Sequence, residues 1–298
     1  MTHKIIRLLL GLVGAVVLLI AGLYLWSEIR LNRTYAVAGQ PITLPTDEAA
    51  LAEGARLFVT RGCSDCHAAD GRGDTVIDDP AIGLIIGTNL TTGAGGVVGA
   101  YDDALLARAI RNGLDENGRP LLVMPSWEFQ GYSDEDTALL IAHIRNLPAV
   151  DNALPASRPG PVGRLLFLAG QLPLVPAEMV DHDAGKVASM TVEASAAYGE
   201  YLAQGCMGCH GTGFSGGAIP GGPPDWPLAT NITPDTETGI GAWTQADFVT
   251  AVRTGMRPDG SSIDPFMPWA NYSLMTDVEL EALWLYLQTV PPQAEGNR

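Results

Sequence analysis

The chain has 298 residues and an acidic balance, with 33 Asp+Glu against 17 Lys+Arg and a formal net charge of −16. That sign argues against nucleic acid as a partner and favours cationic docking surfaces on proteins, with salt-sensitive association. The length sets an expectation of about two domains.

The N-terminus opens apolar. Leu8–Trp26 is an unbroken run of nineteen uncharged residues, the length of one membrane span, with Tyr24 and Trp26 where an interfacial aromatic belt belongs. A cleaved signal peptide has a shorter apolar region and a small-residue site directly after it. Ala36-Val37-Ala38 has the right residues but lies about ten positions too far along. No cysteine neighbours the span, which excludes a lipoprotein anchor. Residues 1–33 therefore read as an uncleaved transmembrane signal-anchor. Lys4 and Arg7 before the span are balanced by Arg30 and Arg33 after it, so charge alone hardly sets the orientation. Residues 34–45, with Pro41 and Pro45, read as an extended linker.

Thr46-Asp47-Glu48 then opens a helix, with Thr46 as N-cap, acids in the first turn and Leu51, Ala55 and Phe58 at helical spacing. Gly62 stops it, and Cys63-Ser64-Asp65-Cys66-His67 follows. This C-x-x-C-H is the attachment signature of a c-type haem. Two thiols join the haem vinyl groups, and the adjacent histidine is delivered to the iron. The motif recurs as Cys206-Met207-Gly208-Cys209-His210, and the pair accounts for all four cysteines. Structural zinc needs two ligand pairs brought together, and a thioredoxin-like dithiol sits in a βαβ unit; neither pattern surrounds these motifs.

After His67 a glycine-rich stretch, Gly71 to Gly99, shows little periodicity. It has neither a P-loop lysine nor a G-x-G-x-x-G register, and reads as a loop wrapping close to a haem. A helix resumes over Asp102–Asn112 and ends at Gly113; a turn at Asn117-Gly118 leads to Met124-Pro125. Ser133-Asp134-Glu135-Asp136 caps a last helix closed by Pro148. Val162–Pro176 is apolar but too short to span a bilayer; a strap over both domains ranks first for it, ahead of a membrane-resting segment or a docking face.

The second half repeats the first. Met267-Pro268 follows His210 at the same separation at which Met124-Pro125 follows His67. Proline after the methionine restricts it to extended conformations, which holds the thioether on an irregular loop. Met124 and Met267 are thus the distal ligands, while Met256 and Met275, which lack a counterpart, read as core filler. Histidine–methionine ligation raises the reduction potential over bis-histidine and fills both axial positions. Arg253-Thr254-Gly255 matches Arg111-Asn112-Gly113, and Thr276-Asp277 matches Ser133-Asp134. The periodic segments are helical, so the expected fold is all-α: two tandem units behind one N-terminal helix.

With these motifs and Ala229-Thr230-Asn231-Ile232-Thr233-Pro234-Asp235, continuing to Thr238-Gly239-Ile240-Gly241 and Trp243, the chain resembles the membrane-associated, multi-haem cytochrome c subunits of bacterial periplasmic dehydrogenases acting on alcohols, aldehydes and gluconate. The likeness covers residues 46 to 295 and is most specific in the second unit; Gly87-Thr88-Asn89-Leu90-Thr91-Thr92 looks like a shortened version in the first. The resemblance implies class I cytochrome c domains that pass electrons from a catalytic subunit toward the membrane. It also implies that Asn89, Asn231, Tyr101 and Trp243 lie near haem propionates, with loop packing as the alternative. The chain departs from many such subunits in having two haem motifs rather than three, and an N-terminal rather than C-terminal anchor. Asn89 and Asn231 also head N-x-T triplets, chance occurrences rather than glycosylation sites in a bacterial-looking protein. His143 and His182 read as ordinary residues.

The expected organisation is therefore a signal-anchor at 1–33, a linker at 34–45, cytochrome c domains at 46–150 and 191–298, and an inter-domain strap at 151–190. Cys63, Cys66, Cys206 and Cys209 would hold two covalent haem c groups. His67 and His210 would be proximal iron ligands, Met124 and Met267 distal. Covalent haem attachment takes place outside the bacterial inner membrane, which places the body on the periplasmic or extracellular face. The expected function is electron transfer, not catalysis. The expected partners are a dehydrogenase catalytic subunit, a quinol-oxidising complex, a soluble cytochrome c or a terminal oxidase. Two alternatives stand beside it. One is a dihaem redox enzyme of peroxidase or thiosulfate dehydrogenase type, which needs a haem with an exchangeable ligand. The other is a fixed subunit of a respiratory supercomplex.

Overall fold

A computed structural model describes residues 2–222 and 225–297. Helix α1 (Thr2–Leu31) carries the apolar run. Within His3–Leu31 an 18-residue window has a mean hydropathy of 2.7 and is not buried in the protein, so this helix is long and apolar enough to cross a membrane. Its C-terminal end is pinned to the body. Arg164 bonds Glu28 at 2.7 Å and Ser27 at 2.9 Å and lies over the Tyr24 ring, while Arg30 pairs with Glu178 and covers Phe167.

The first half runs α2 (Glu48–Thr60), α3 (Cys63–His67), a hairpin, α4 (Asp103–Asn112), α5 (Ser126–Phe129) and α6 (Asp134–Asn146). The N-cap of α2 is Asp47 rather than Thr46, because the Asp47 carboxylate accepts the Ala50 N–H at 2.9 Å. Ser133 caps α6 as expected, and Asp102, read as the first residue of its helix, is instead the N-cap of α4. The expectation of an all-α fold is corrected by strands β1 (Asp74–Asp79) and β2 (Gly83–Gly87), antiparallel, with short β3 (Arg158–Pro159) on the far side of β2. The glycine-rich stretch read as a loop thus holds a hairpin. Its tight turn forms where Asp79 accepts the Ala81 and Ile82 N–H groups at 2.8 and 2.7 Å. The β-branched content of Asp74–Asp79 and Gly83–Gly87 was the available signal, masked by the glycines around it.

The apolar stretch after residue 160 forms α7 (Pro161–Leu168) and a turn. Phe167, Leu172, Leu174 and Val175 make a small second core with Ile85 and Leu114. It packs on the first half and the end of α1, and Leu172 also meets Gly221 of the second half.

The second half repeats the helical order as α8 (Ala196–Ala203), α9 (Met207–His210), α10 (Gln245–Thr254), α11 (Trp269–Tyr272) and α12 (Asp277–Leu287). In both halves the first and last helices cross at a glycine: a Cβ on Gly54 would sit 2.2 Å from the Leu139 carbonyl oxygen, and one on Gly199 1.9 Å from that of Ala282. One main apolar core spans both halves, from Leu57, Phe58 and Ile141 to Tyr201, Leu280 and Leu283. Met275 is buried in it, as expected of filler; Met256 instead lies at the surface, 41% exposed, with the Ser262 hydroxyl donating to its sulfur.

Candidate haem sites

Short helix α3 presents the first motif. Gly62 enters it in the left-handed region at φ 76°, and Ala68 leaves it at φ 60°. The Gly73 N–H donates to the His67 carbonyl at 2.8 Å, and a Cβ on Gly87 would lie 1.8 Å from the Cys66 oxygen, so the hairpin closes directly on the motif. His67 Nδ1 lies 2.8 Å from the Thr88 carbonyl oxygen. A carbonyl only accepts, so Nδ1 carries the proton and Nε2 keeps its lone pair for a metal. Burial lowers the His67 pKa, which favours the same neutral ring.

Cys63, His67 and Met124 line one cavity whose other walls are mostly apolar, among them Phe58, Leu106, Ile110 and Leu140. Met124 comes from the loop before α5. Val123, a β-branched residue, stands before it in the left-handed region at φ 64°, a conformation that such residues hold only when their surroundings impose it. The Val123 N–H donates to Leu174 at 3.1 Å, so the chain after α7 is what holds the methionine loop. A thiol, an imidazole with a free Nε2 and a thioether around one apolar cavity is a donor set that suits a c-type haem. None of the four cysteines enters a disulfide among the described residues.

The second motif is built the same way. Cys206 ends a single 3₁₀ turn and α9 carries Cys209 and buried His210, whose Nδ1 lies 2.7 Å from the Thr230 carbonyl oxygen. Met267 is half-buried on a loop held like that of Met124. Ser126 N–H donates to Met124 and Trp269 N–H to Met267, both at 2.7 Å, while Leu121 N–H donates to Gly113 and Ile263 N–H to Gly255, also both at 2.7 Å.

Asn89 and Asn231 staple loops. Asn89 donates to Val150 at 2.8 Å and accepts from Thr91; Asn231 donates to Gln293 at 2.7 Å and accepts from Thr233. Both are buried, which suits loop packing and takes the two N-x-T triplets out of reach of modification. Tyr101 lines the first cavity, and Trp243 packs against the main core. His143 packs on Phe58, and His182 packs on Tyr35 and bonds Asn112.

A feature that sequence reasoning missed is how the halves meet. Asn271 of α11 donates to Asp65 of the first motif at 2.6 Å. Glu128 of α5 in turn lies on the second motif, where a Cβ on Gly208 would sit 2.2 Å from its Oε1. Asp65 and Gly208 are each the third residue of their haem motif, and Glu128 and Asn271 are each the fourth after their methionine, so the two contacts join corresponding positions. Such reciprocity is the mark of a two-fold interface, here internal to one chain. The signal was present as the constant offset, but an offset does not say which faces meet.

Burial pushes Glu128 up from 4.5 to about 8, with the Trp127 indole opposing as donor. The folded chain thus keeps this proton between about pH 4.5 and 8, where the unfolded chain has lost it, and stability from this group falls as pH rises through that window. Glu128→Gln is expected to match the parent near pH 4 and to exceed it by on the order of 3 kcal/mol above pH 8. Denaturant unfolding at both pH values checks this; parallel pH profiles would contradict it.

Comparison with known proteins points the same way. Residues 51–148 match the cytochrome c family. The chain is 39% identical over 107 residues to the gluconate 2-dehydrogenase cytochrome c subunit of Pantoea cypripedii, an overlap of 34% of this chain and 24% of that protein. It is 38% identical over 125 residues to the cytochrome c subunit of alcohol dehydrogenase (quinone) of Gluconacetobacter polyoxogenes, covering 39% and 27%. It is 32% identical over 142 residues to a dihaem cytochrome c-type protein of Cereibacter sphaeroides, covering 45% and 48%. The chain spans about a quarter of the length of the first two relatives. The cavity that Cys63, His67 and Met124 share lies within the matched stretch: residues 51–148 are a cytochrome c domain, the kind that binds haem c covalently, in a chain similar to the cytochrome c subunits of alcohol and gluconate dehydrogenases.

Proposed function

We propose that the chain is a membrane-tethered dihaem c-type cytochrome, built from two tandem cytochrome c domains at 46–150 and 191–298 joined by the strap at 151–190. It passes single electrons from a periplasmic donor to a respiratory acceptor. The observation that carries the reading is the repeated anchoring of a C-x-x-C-H histidine, His67 on Thr88 and His210 on Thr230, at 2.8 and 2.7 Å. When bound, haem c supplies a one-electron couple. Cys63 and Cys66, and Cys206 and Cys209, would hold the haem groups through thioether bonds. His67 and His210, each with its Nδ1 proton fixed on a carbonyl, would offer Nε2 to a haem iron, and Met124 and Met267 would offer their thioethers. A histidine and a methionine offered to each iron would favour electron transfer over chemistry at the metal. The apolar walls of the first cavity exclude water and favour the less charged, reduced state.

Helix α1 ties the body to the outer face of the inner membrane, its pinned C-terminal end setting the distance to the lipid. The named relatives favour a dehydrogenase catalytic subunit as electron donor. Purification of the native haem-staining band from membranes in mild detergent tests this reading. A dehydrogenase subunit travelling with it, and reduction of the haem bands when that enzyme's substrate is added, are the expected results. Failure of any dehydrogenase to reduce the band, together with reduction by a quinol-oxidising complex, would move the donor assignment to the latter.

A further inference from the structure

Arg61 stands at the end of α2, just before Gly62 and the first haem motif. Its side chain is only 6% exposed, and its Nη2 lies 3.7 Å from Asp136 and 3.7 Å from Glu279. Those two carboxylates correspond in the repeat, each at the third position of the last helix in its half. The guanidinium therefore sits between equivalent groups of the two halves, where one cation serves two carboxylates. The residue at the matching place before Cys206 is Gln204, so the duplication leaves this charge unmatched. The guanidinium also lies over the Tyr132 ring, 5.6 Å from its centroid.

The surrounding charges do not neutralise it by simple pairing. Glu279 already takes two bonds from Arg56, at 2.6 and 3.1 Å, and Arg56 also pairs with Glu53. Asp136 accepts the Tyr201 hydroxyl at 2.6 Å. Arg61 Nε and Nη2 are buried without a hydrogen-bond partner. A buried guanidinium held only at ion-pair distance is poorly screened, so its field reaches its neighbours at low effective dielectric. Both haem motifs lie close to it: Arg61 stands two residues before Cys63, its guanidinium covers Tyr132, which lines the first cavity, and Cys63 and Cys206 pack against the one core that holds Tyr132 and Tyr201.

We propose that Arg61 is a shared positioning charge, lying at the junction of the two halves and holding up the reduction potentials of both haem sites together. The inference rests on the dihaem reading above. A site that gains an electron loses one unit of positive charge, and a fixed cation nearby favours that reduced form. The five charged groups Arg56, Arg61, Glu53, Asp136 and Glu279 sum to one negative charge; removing Arg61 leaves two. The same cation joins the halves, so tuning and assembly share one side chain.

The test is a redox titration of the full-length protein in detergent, with haem counted per chain on the same samples. Arg61→Gln is expected to lower both midpoints, and Arg61→Lys, which keeps the charge, to stay near the parent. Asp136→Asn removes a negative charge and is expected to raise both, and it decides the matter alone if Arg61→Gln fails to accumulate. Arg72→Gln, at an exposed pair, should leave both midpoints in place. Two haems per chain with midpoints that do not move, or with only one that moves, would overturn the role of Arg61. One haem per chain would overturn the dihaem reading and the shared role with it.

Discussion

Met124→His and Met267→His will each lower one of two reduction midpoints while leaving both haems attached. Axial-ligand identity moves haem potentials over about 0.8 V, and replacing thioether by imidazole is expected to account for on the order of 0.1 V of that range. The thioether bonds do not involve the methionines, so attachment survives. The effect depends on the loop keeping its shape, and the structure gives the reasons it will. Val123 is locked by its bond to Leu174, Leu121 is tied to Gly113, and the second loop carries the matching bonds from Ile263 and Trp269. Spectroelectrochemical titration of the full-length protein checks the result. If Met124→His leaves every midpoint in place, Met124 is not an iron ligand.

Gly54→Ala and Gly199→Ala will each destabilise the protein by at least about 3 kcal/mol. In a bare helix the change should help, since alanine is the better helix former by about 1 kcal/mol. Here the sign reverses, because the new Cβ would lie 2.2 Å from the Leu139 oxygen in the first crossing and 1.9 Å from the Ala282 oxygen in the second. In the second crossing Tyr286 Cβ is also only 2.7 Å away. Backbone cannot swing aside like a side-chain tip, so the helices must separate and the core between Leu57, Ile141, Tyr201 and Leu283 must open. Gly99, with nothing within 4 Å of its Cβ position and no positive φ, serves as the control and should tolerate alanine. Equal thermal midpoints for Gly199→Ala and Gly99→Ala would contradict the close-crossing account.

Much of this was legible in the sequence, for identifiable reasons. The C-x-x-C-H motifs and the equal methionine spacing are covalent and combinatorial signals, and the helix cap at Ser133 is a local one. Local rules failed where two local options competed. Asp47 took the cap from Thr46 because its carboxylate reaches the Ala50 N–H, and the hairpin at residues 74–87 was hidden by glycines that serve its close approach to Cys66. What pattern cannot supply is the meeting of distant faces. Arg61 between Asp136 and Glu279, Asn271 on Asp65 and Leu174 holding Val123 are tertiary facts with no neighbour-to-neighbour signature. The surface position of Met256 is of the same kind, since a lone methionine reads as filler whichever way it faces.

The most direct test is the haem content of the full-length protein isolated from its native membranes, counted against protein mass and examined for spin state. Two covalently held, low-spin haems per chain are expected, with Cys206→Ala plus Cys209→Ala leaving one. A single haem in the unaltered protein, or a high-spin iron at either site, would contradict two histidine–methionine electron carriers in one chain.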